Sequence, residues 1–316
     1  MSTSSRDPRG RGPARPASRP TSRSGAPASR SASPGSRSAP PKRTSAARPP
    51  QRGRRGLVLL VIGVAIVVVL ALVLGLTLGS SGHSSTSYSA QETASVIEQV
   101  TSLPPTLFDQ IGKGTAQTLP KPIKTAALVS GGKPEVLYIG AEYCPYCATE
   151  RWAMVAALSR FGTFTGLSLT HSSSSDVYPN TPTFTFHGST FSSPYFVFTP
   201  VETTTNQPYK GGYKPLDVPT PAQASLWQSL DPSGGIPFID IGGKYLISGV
   251  TYDPSVLQGM TPADIATSMA DPSSDIAKGA VGAANTLVVA ICKITNEQPS
   301  AVCADPAMQS LEASLG

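Results

Sequence analysis

The 316-residue sequence predicts one α/β domain held behind a membrane anchor. Three observations predict it. The run "EVLYIG" (135–140) is of β type and passes into "PYCATERWAMVAALSRFG", whose Trp152, Val155, Ala156 and Leu158 recur at helical spacing. The stretch "GGIPFIDIGGKYLISG" (234–249) reads as a hairpin, two β runs joined at Gly242 and Gly243. Upstream, residues 57–79 form an apolar run without a single charge.

In chain order, residues 1–56 hold 14 Lys and Arg against one acid, Asp7, in a background of Ser, Pro, Ala and Gly. Such a segment cannot bury enough apolar surface to offset chain entropy, and it is predicted to be a disordered tail. No aromatic residue interleaves with its charges. The tail therefore reads as a topology signal and solvated spacer, and no nucleic-acid partner is expected. The remaining chain holds 11 basic and 18 acidic residues, so the formal charge of +6 describes the tail and not the body.

At about 1.5 Å per residue, the run 57–79 makes about 34 Å of helix, enough to cross a hydrocarbon core of about 30 Å with some tilt. A cleaved signal peptide would have a shorter apolar run, a shorter leader and a small-x-small cleavage site. Arg52, Arg54 and Arg55 precede the span and "SSGHSSTS" follows it. The positive-inside rule then expects a single-pass protein of the cell membrane, with the tail cytoplasmic and the folded domain extracytoplasmic. Residues 80–94 read as a polar tether and 95–316 as the domain.

Within the domain, "ASVIEQV" (94–100) has helical spacing, and "GTAQTLPKPIKTAALVSGGKP" (114–134) reads as extended segments and turns. After the "EVLYIG" strand and the helix that follows, "GLSLTHSSSS" (166–175) predicts a strand. "TPTFTFHGSTFSSPYFVFTPVE" (181–202) predicts one or two more. "TPAQASLWQSL" (220–230) and "TPAD" (261–264) open helices with Thr as N-cap and Pro at the first helical position. A last helix carries Ile276, Ala280, Ala284, Leu287 and Ile291 on one stripe.

Cys144 and Cys147 stand at the start of the helix after "EVLYIG". A cysteine there lies beside unpaired backbone N–H groups and the positive end of the helix dipole, which favour thiolate over thiol. Two intervening residues put the second sulfur one turn down, within reach of the first. Cys144 is thus the expected attacker of a substrate disulfide and Cys147 the residue that resolves the mixed disulfide. Pro145 suits the first helical position, where its missing N–H costs nothing.

The segment "AEYCPYC" resembles the active site of thioredoxin-like proteins, where an Ala-Glu-aromatic triplet precedes the CxxC. Pro-Tyr between the cysteines is the dipeptide of glutaredoxins and of some periplasmic disulfide isomerases. "GGIPFIDIGGKY" is similar to the other landmark of that superfamily, a cis-proline loop leading into a hairpin. The resemblance implies a thioredoxin-like fold with Pro237 as the cis-proline and Ile236 offering backbone to a substrate. It also implies that Pro145 and Tyr146 border the substrate. "GKPEVLYIGAEYCPYCATERWAMVAALSRFGTF" and "ICKITNEQPSAVC" further resemble a prokaryotic family of membrane-anchored thioredoxin-like proteins, domain of unknown function 929.

Two departures from the superfamily stand out. Its buried carboxylate, six positions ahead of the first cysteine, is replaced by Tyr138. Proton transfer at Cys147 then needs another group or water; Glu150 is one candidate, its alternative reading is a solvated helix-face acid, and Glu142 is similarly ambiguous. The chain between Cys147 and Pro237 is also far longer than a minimal thioredoxin needs. An insertion of strands and a helix is expected there, beside the active site, with C-terminal helices after the hairpin.

A structural disulfide or half a zinc site is the alternative for the CxxC, but His171 and His187 lack ligand spacing relative to it. No metal and no cofactor is expected. Four cysteines allow three pairings; CxxC geometry and an oxidising exterior favour Cys144–Cys147 plus Cys292–Cys303. The second pair closes a short loop between two helices as a structural staple of about 2–3 kcal/mol, with an electron shuttle to Cys147 as the alternative. The expectation is an extracytoplasmic thiol–disulfide oxidoreductase acting on protein thiols and disulfides, with a membrane redox partner in the reductive direction. The competing class is a non-catalytic thioredoxin-like binding module whose CxxC is a structural disulfide.

Overall fold

The computed structural model describes residues 87–313. The expected tail (1–56), membrane span (57–79) and first residues of the tether lie outside them. The tether ends earlier than the sequence implied. Helix α1 (Ala90–Thr101) begins inside the stretch read as tether, because Ser89 accepts the N–H of Glu92 at its N-terminus and Val96 and Val100 then reach the core. Polar residues around that cap masked the start of the helix.

After α2 (Pro105–Ile111) come two short strands, β1 (Lys121–Pro122) and β2 (Val129–Ser130), then β3 (Lys133–Gly140) and α3 (Pro145–Leu158). The long connection that follows holds β4 (Thr163–Thr165), β5 (Ser168–His171), β6 (Pro182–Thr185), β7 (Thr190–Ser192), β8 (Val197–Glu202), β9 (Thr204–Tyr209), β10 (Gly212–Pro215) and α4 (Pro221–Leu230). The hairpin β11 (Phe238–Ile241) and β12 (Tyr245–Ser248) precedes a C-terminal helical region: α5 (Pro262–Met269), a π-helical turn (Ala277–Val281), α6 (Gly282–Ile294), α7 (Ser300–Cys303) and α8 (Pro306–Glu312). Three strands, not one or two, occupy 181–202, because turns at 186–189 and 193–196 divide the alternating Thr-Phe pattern.

The main sheet is mixed. Strand order runs β1–β12–β11–β3, with β2 and β8 also paired to β3. β11 lies antiparallel to β3, from Phe238 opposite Ile139 to Ile241 opposite Val136. β8 lies parallel to β3, from Val197 opposite Glu135 to Glu202 opposite Gly140. A parallel pair needs a crossover connection, and α3 with β4–β7 supplies it. The β11–β12 turn falls where the sequence placed it, with Gly242 and Gly243 at φ of 66° and 69°, values that side chains with a Cβ resist.

Every residue of α3 except Tyr146 is buried. Its Trp152 packs on Phe184 and donates to the Pro182 carbonyl at 2.9 Å, while Thr183 donates to the Ala148 carbonyl at 2.7 Å. These contacts fasten the insertion to the helix that carries the cysteines. Among the described residues, Ala277–Ile294 alone is long and apolar enough to cross a membrane, yet 89% of that window is buried within the domain. It is a core helix packed against α3.

Candidate active site

β3 ends at Gly140, a position closed to any larger residue: a Cβ there would lie 2.1 Å from the Tyr138 hydroxyl. The chain then turns through Ala141–Tyr143 and enters α3 with Cys144 as its N-cap. The Cys144 sulfur accepts the N–H of Cys147 at 3.4 Å and lies 3.9 Å from the Ile236 carbonyl oxygen. Cys144 is 4% exposed and Cys147 0%. Both are free thiols, so of the two pairings the sequence favoured only Cys292–Cys303 is formed here and the Cys144–Cys147 pair stands reduced.

The sequence-predicted residues Cys144, Pro145, Tyr146, Cys147, Ile236 and Pro237 therefore come together. The Ile236–Pro237 bond is cis. Ile236 packs with Tyr143 against Ala141, Cys144 and Cys147, forming a small apolar cluster apart from the main core. Tyr146, 40% exposed, is the part of the motif that faces solvent.

The two thiols are electrostatically unlike. The Cys147 side chain hydrogen-bonds to Cys144 and lowers the Cys144 pKa; burial opposes this, while the N–H groups of Cys147 and Tyr146 and the Arg151 charge add to it. Burial pushes the Cys147 thiol well up, negative charge on Cys144 adds to that, and Arg151 pulls the other way. The surroundings thus shift the two thiols in opposite directions, Cys144 toward easier ionisation and Cys147 away from it.

The solvated reading of Glu150 is overturned. Its carboxyl is 0% exposed, and Oε2 accepts the N–H of Thr251 at 2.9 Å and its hydroxyl at 2.6 Å. Burial pushes its pKa up to about 7. Tyr138 is also fully buried, its ring edge-on to Phe186 and its hydroxyl without a hydrogen-bond partner among the described residues. Glu142 donates its backbone N–H to the Thr204 carbonyl at the start of β9.

Sequence reasoning missed two residues. Arg151 and Glu202 form an ion pair of 2.7 Å with both side chains at 0% exposure. The one trace in the sequence is an arginine inside a helix whose other flank is apolar; its partner, 51 positions away, carries no local signal.

The long connection between α3 and β11 borders the motif. Tyr143 stacks on Tyr213 of β10 with centroids 4.2 Å apart, and Tyr146 meets Tyr178 edge-on at 6.2 Å. Ser173 donates its N–H to the Tyr143 carbonyl and accepts the Tyr213 hydroxyl, tying loop, hairpin and motif together. Beside them lies a cavity of about 400 Å³ lined by Ser175 and residues 208–213.

Cys292 and Cys303 form a disulfide with Cα atoms 5.6 Å apart. Ile294, two residues on from Cys292, packs against Gly242, at the opposite end of β11 from Pro237. The disulfide therefore stands at the far end of the sheet from Cys144, which disfavours the shuttle alternative. Glu297 lies within ligand distance of the two sulfurs, but they are bonded to each other. His171 contacts the Ser172 carbonyl and His187 the Asp217 carboxylate.

Residues 121–217, which include the CxxC segment and most of the insertion, match the model of a domain of unknown function (DUF929). No curated protein and no solved structure matches the chain.

Proposed function

We propose that this domain is a thioredoxin-like thiol–disulfide oxidoreductase whose reactive pair is Cys144 and Cys147. One observation carries the reading: the Cys144 sulfur takes the Cys147 N–H at the head of α3, while Cys147 is wholly buried behind it. That arrangement separates an attacking thiolate from a resolving thiol. The order of elements supports the thioredoxin-like assignment: β3, the motif, α3, a parallel β8, then Pro237 entering an antiparallel hairpin, with α6 against α3.

In the reductive direction, the Cys144 thiolate attacks one sulfur of a substrate disulfide, and the other substrate sulfur leaves with the electron pair and takes a proton. Cys147 then attacks the Cys144 sulfur. A Cys144–Cys147 bond forms, the bond from Cys144 to substrate breaks, and the Cys147 proton passes to the departing sulfur. The substrate is reduced and the pair oxidised; the same steps reversed oxidise a substrate dithiol. The Ile236 carbonyl, 3.9 Å from the attacking sulfur, is in this reading a backbone acceptor for an incoming polypeptide strand. Glu150, three residues beyond Cys147 and raised by burial to about 7, is in this reading the group that relays the Cys147 proton toward the departing sulfur.

The compartment is proposed on the charge asymmetry around residues 57–79 and on the Cys292–Cys303 disulfide, a bond that persists in oxidising surroundings. A reductase would need a thiol donor at the membrane, whereas an oxidase or isomerase would be served by the exterior itself.

Trapping tests the reading. Cys147→Ser removes the resolving step and should accumulate mixed disulfides through Cys144, seen as thiol-sensitive high-mass bands on non-reducing gels. Cys144→Ser should accumulate few or none. If the Cys147→Ser chain captures nothing, the binding-module class replaces this one.

A further inference from the structure

Four residues beyond Cys147, α3 carries a full charge where packing leaves no water. Arg151 Nε donates to Glu202 Oε1 and Nη2 to Glu202 Oε2, both at 2.7 Å, with each side chain 0% exposed. Burying such a pair costs much of what its attraction returns, and apolar replacements commonly stabilise a fold at least as well. Stability alone does not account for it.

Its position does. Nη2 also donates to the Ala141 carbonyl at 2.7 Å, and that same carbonyl accepts the N–H of Cys144. The guanidinium therefore holds the turn that presents the attacking sulfur. Glu202, in turn, ends β8 directly opposite Gly140, the last residue of β3 before the motif. Nη1 has no hydrogen-bond partner among the described residues, so both of its N–H groups are uncommitted inside the protein.

Resting on the reading of Cys144 as the attacking thiolate, we propose that Arg151 is the positioning and charge-setting residue of the thiol pair and that Glu202 is its counter-charge. Tyr138 faces the guanidinium from β3, with the ring centroid 6.0 Å from Cζ. Cys144 and Cys147 feel its charge from its own helix, and Tyr143, in the turn before it, neighbours the two sulfurs. Glu142 and Asp217 approach Glu202, the latter accepting its N–H at 3.1 Å. Arg151 is the one cation in this set. Attack and resolution each place a negative sulfur in an apolar cluster, and a fixed positive charge at the base of that cluster favours the thiolate at both steps. Glu202 limits the effect, so that the thiolate is populated without becoming a poor nucleophile.

The two partners of this ion pair thus make opposite predictions, which a purely structural pair would not. The test uses the full chain in detergent, with the pH dependence of iodoacetamide alkylation at Cys144 read by peptide mass. Arg151→Met should raise the apparent Cys144 pKa by about one pH unit, about tenfold slower alkylation at neutral pH. Glu202→Gln should lower it, and Arg151→Lys should restore part of the loss. Near-UV circular dichroism checks that each variant is folded. Where a single variant is not, Arg151→Met/Glu202→Gln keeps the test alive: its Cys144 pKa should lie above wild type and below Arg151→Met.

An unchanged Cys144 pKa in Arg151→Met, the same direction of change in both single variants, or a double variant at or below wild type would each overturn the proposal. Alkylation does not require turnover. Opposite shifts without substrate capture by Cys147→Ser would keep this proposal and remove the oxidoreductase reading. Capture with unmoved pKa values would do the reverse.

Discussion

Glu150 makes the stability of this domain depend on pH in a direction unusual for a carboxylate. Burial, opposed by hydrogen bonds from Thr251, raises its pKa from 4.5 to about 7. The fold favours the neutral acid, so the stability this group contributes is fully present below about pH 4.5 and is lost as pH rises through about 7. Each tenfold change in proton affinity is about 1.4 kcal/mol, so the loss by pH 8 is about 3 kcal/mol. Glu150→Gln retains an oxygen to accept from Thr251 and cannot ionise. Its amide nitrogen takes the place of Oε1, which has no partner, at a cost of about 1–3 kcal/mol that is the same at every pH. The free energy of the variant relative to wild type should therefore improve by about 3 kcal/mol between pH 4.5 and pH 8. Asp240, raised by burial to about 6, titrates in both proteins and cancels. Urea unfolding followed by circular dichroism across this range measures the difference. Parallel stability curves for the two chains would refute a buried, proton-retaining Glu150.

Replacing Cys292 and Cys303 together with Ser should lower stability by about 3 kcal/mol, from the 11-residue separation that the bond closes, while Cys144 alkylates at the wild-type rate. Loss of dithiol–disulfide turnover in a folded double variant whose Cys144 still alkylates normally would revive the electron shuttle. Tyr138→Phe removes a buried hydroxyl that has no partner, so the unfolding free energy should stay level or rise by about 1 kcal/mol; a drop of that size would mean the hydroxyl is satisfied. Protease added to spheroplasts should digest the domain and spare the basic tail, and the opposite pattern would end the extracytoplasmic proposal.

The elements legible in the sequence are those that short-range physics writes. The "EVLYIG" strand, the Cys144–Pro145 helix start, the glycine turn after Ile241 and the Thr caps before Pro221 and Pro262 each rest on a few adjacent residues, and each stands where it was read. The Cys292–Cys303 pairing was legible too, because CxxC spacing left those two cysteines for each other. Tertiary structure decided the rest. The tether reading missed the first turn of α1 because the polar residues at its cap carry no apolar spacing, whereas Val96 and Val100, which meet the core, made the rest of the helix legible. Glu150 read as a solvated acid because nothing near it announces Thr251, which the fold brings from 101 positions away. Arg151 and Glu202 meet only because β8 pairs parallel to β3 and ends beside Gly140. Periodicity and capping act over one or two turns of chain, whereas the choice of a buried charge's partner waits on which strands become neighbours.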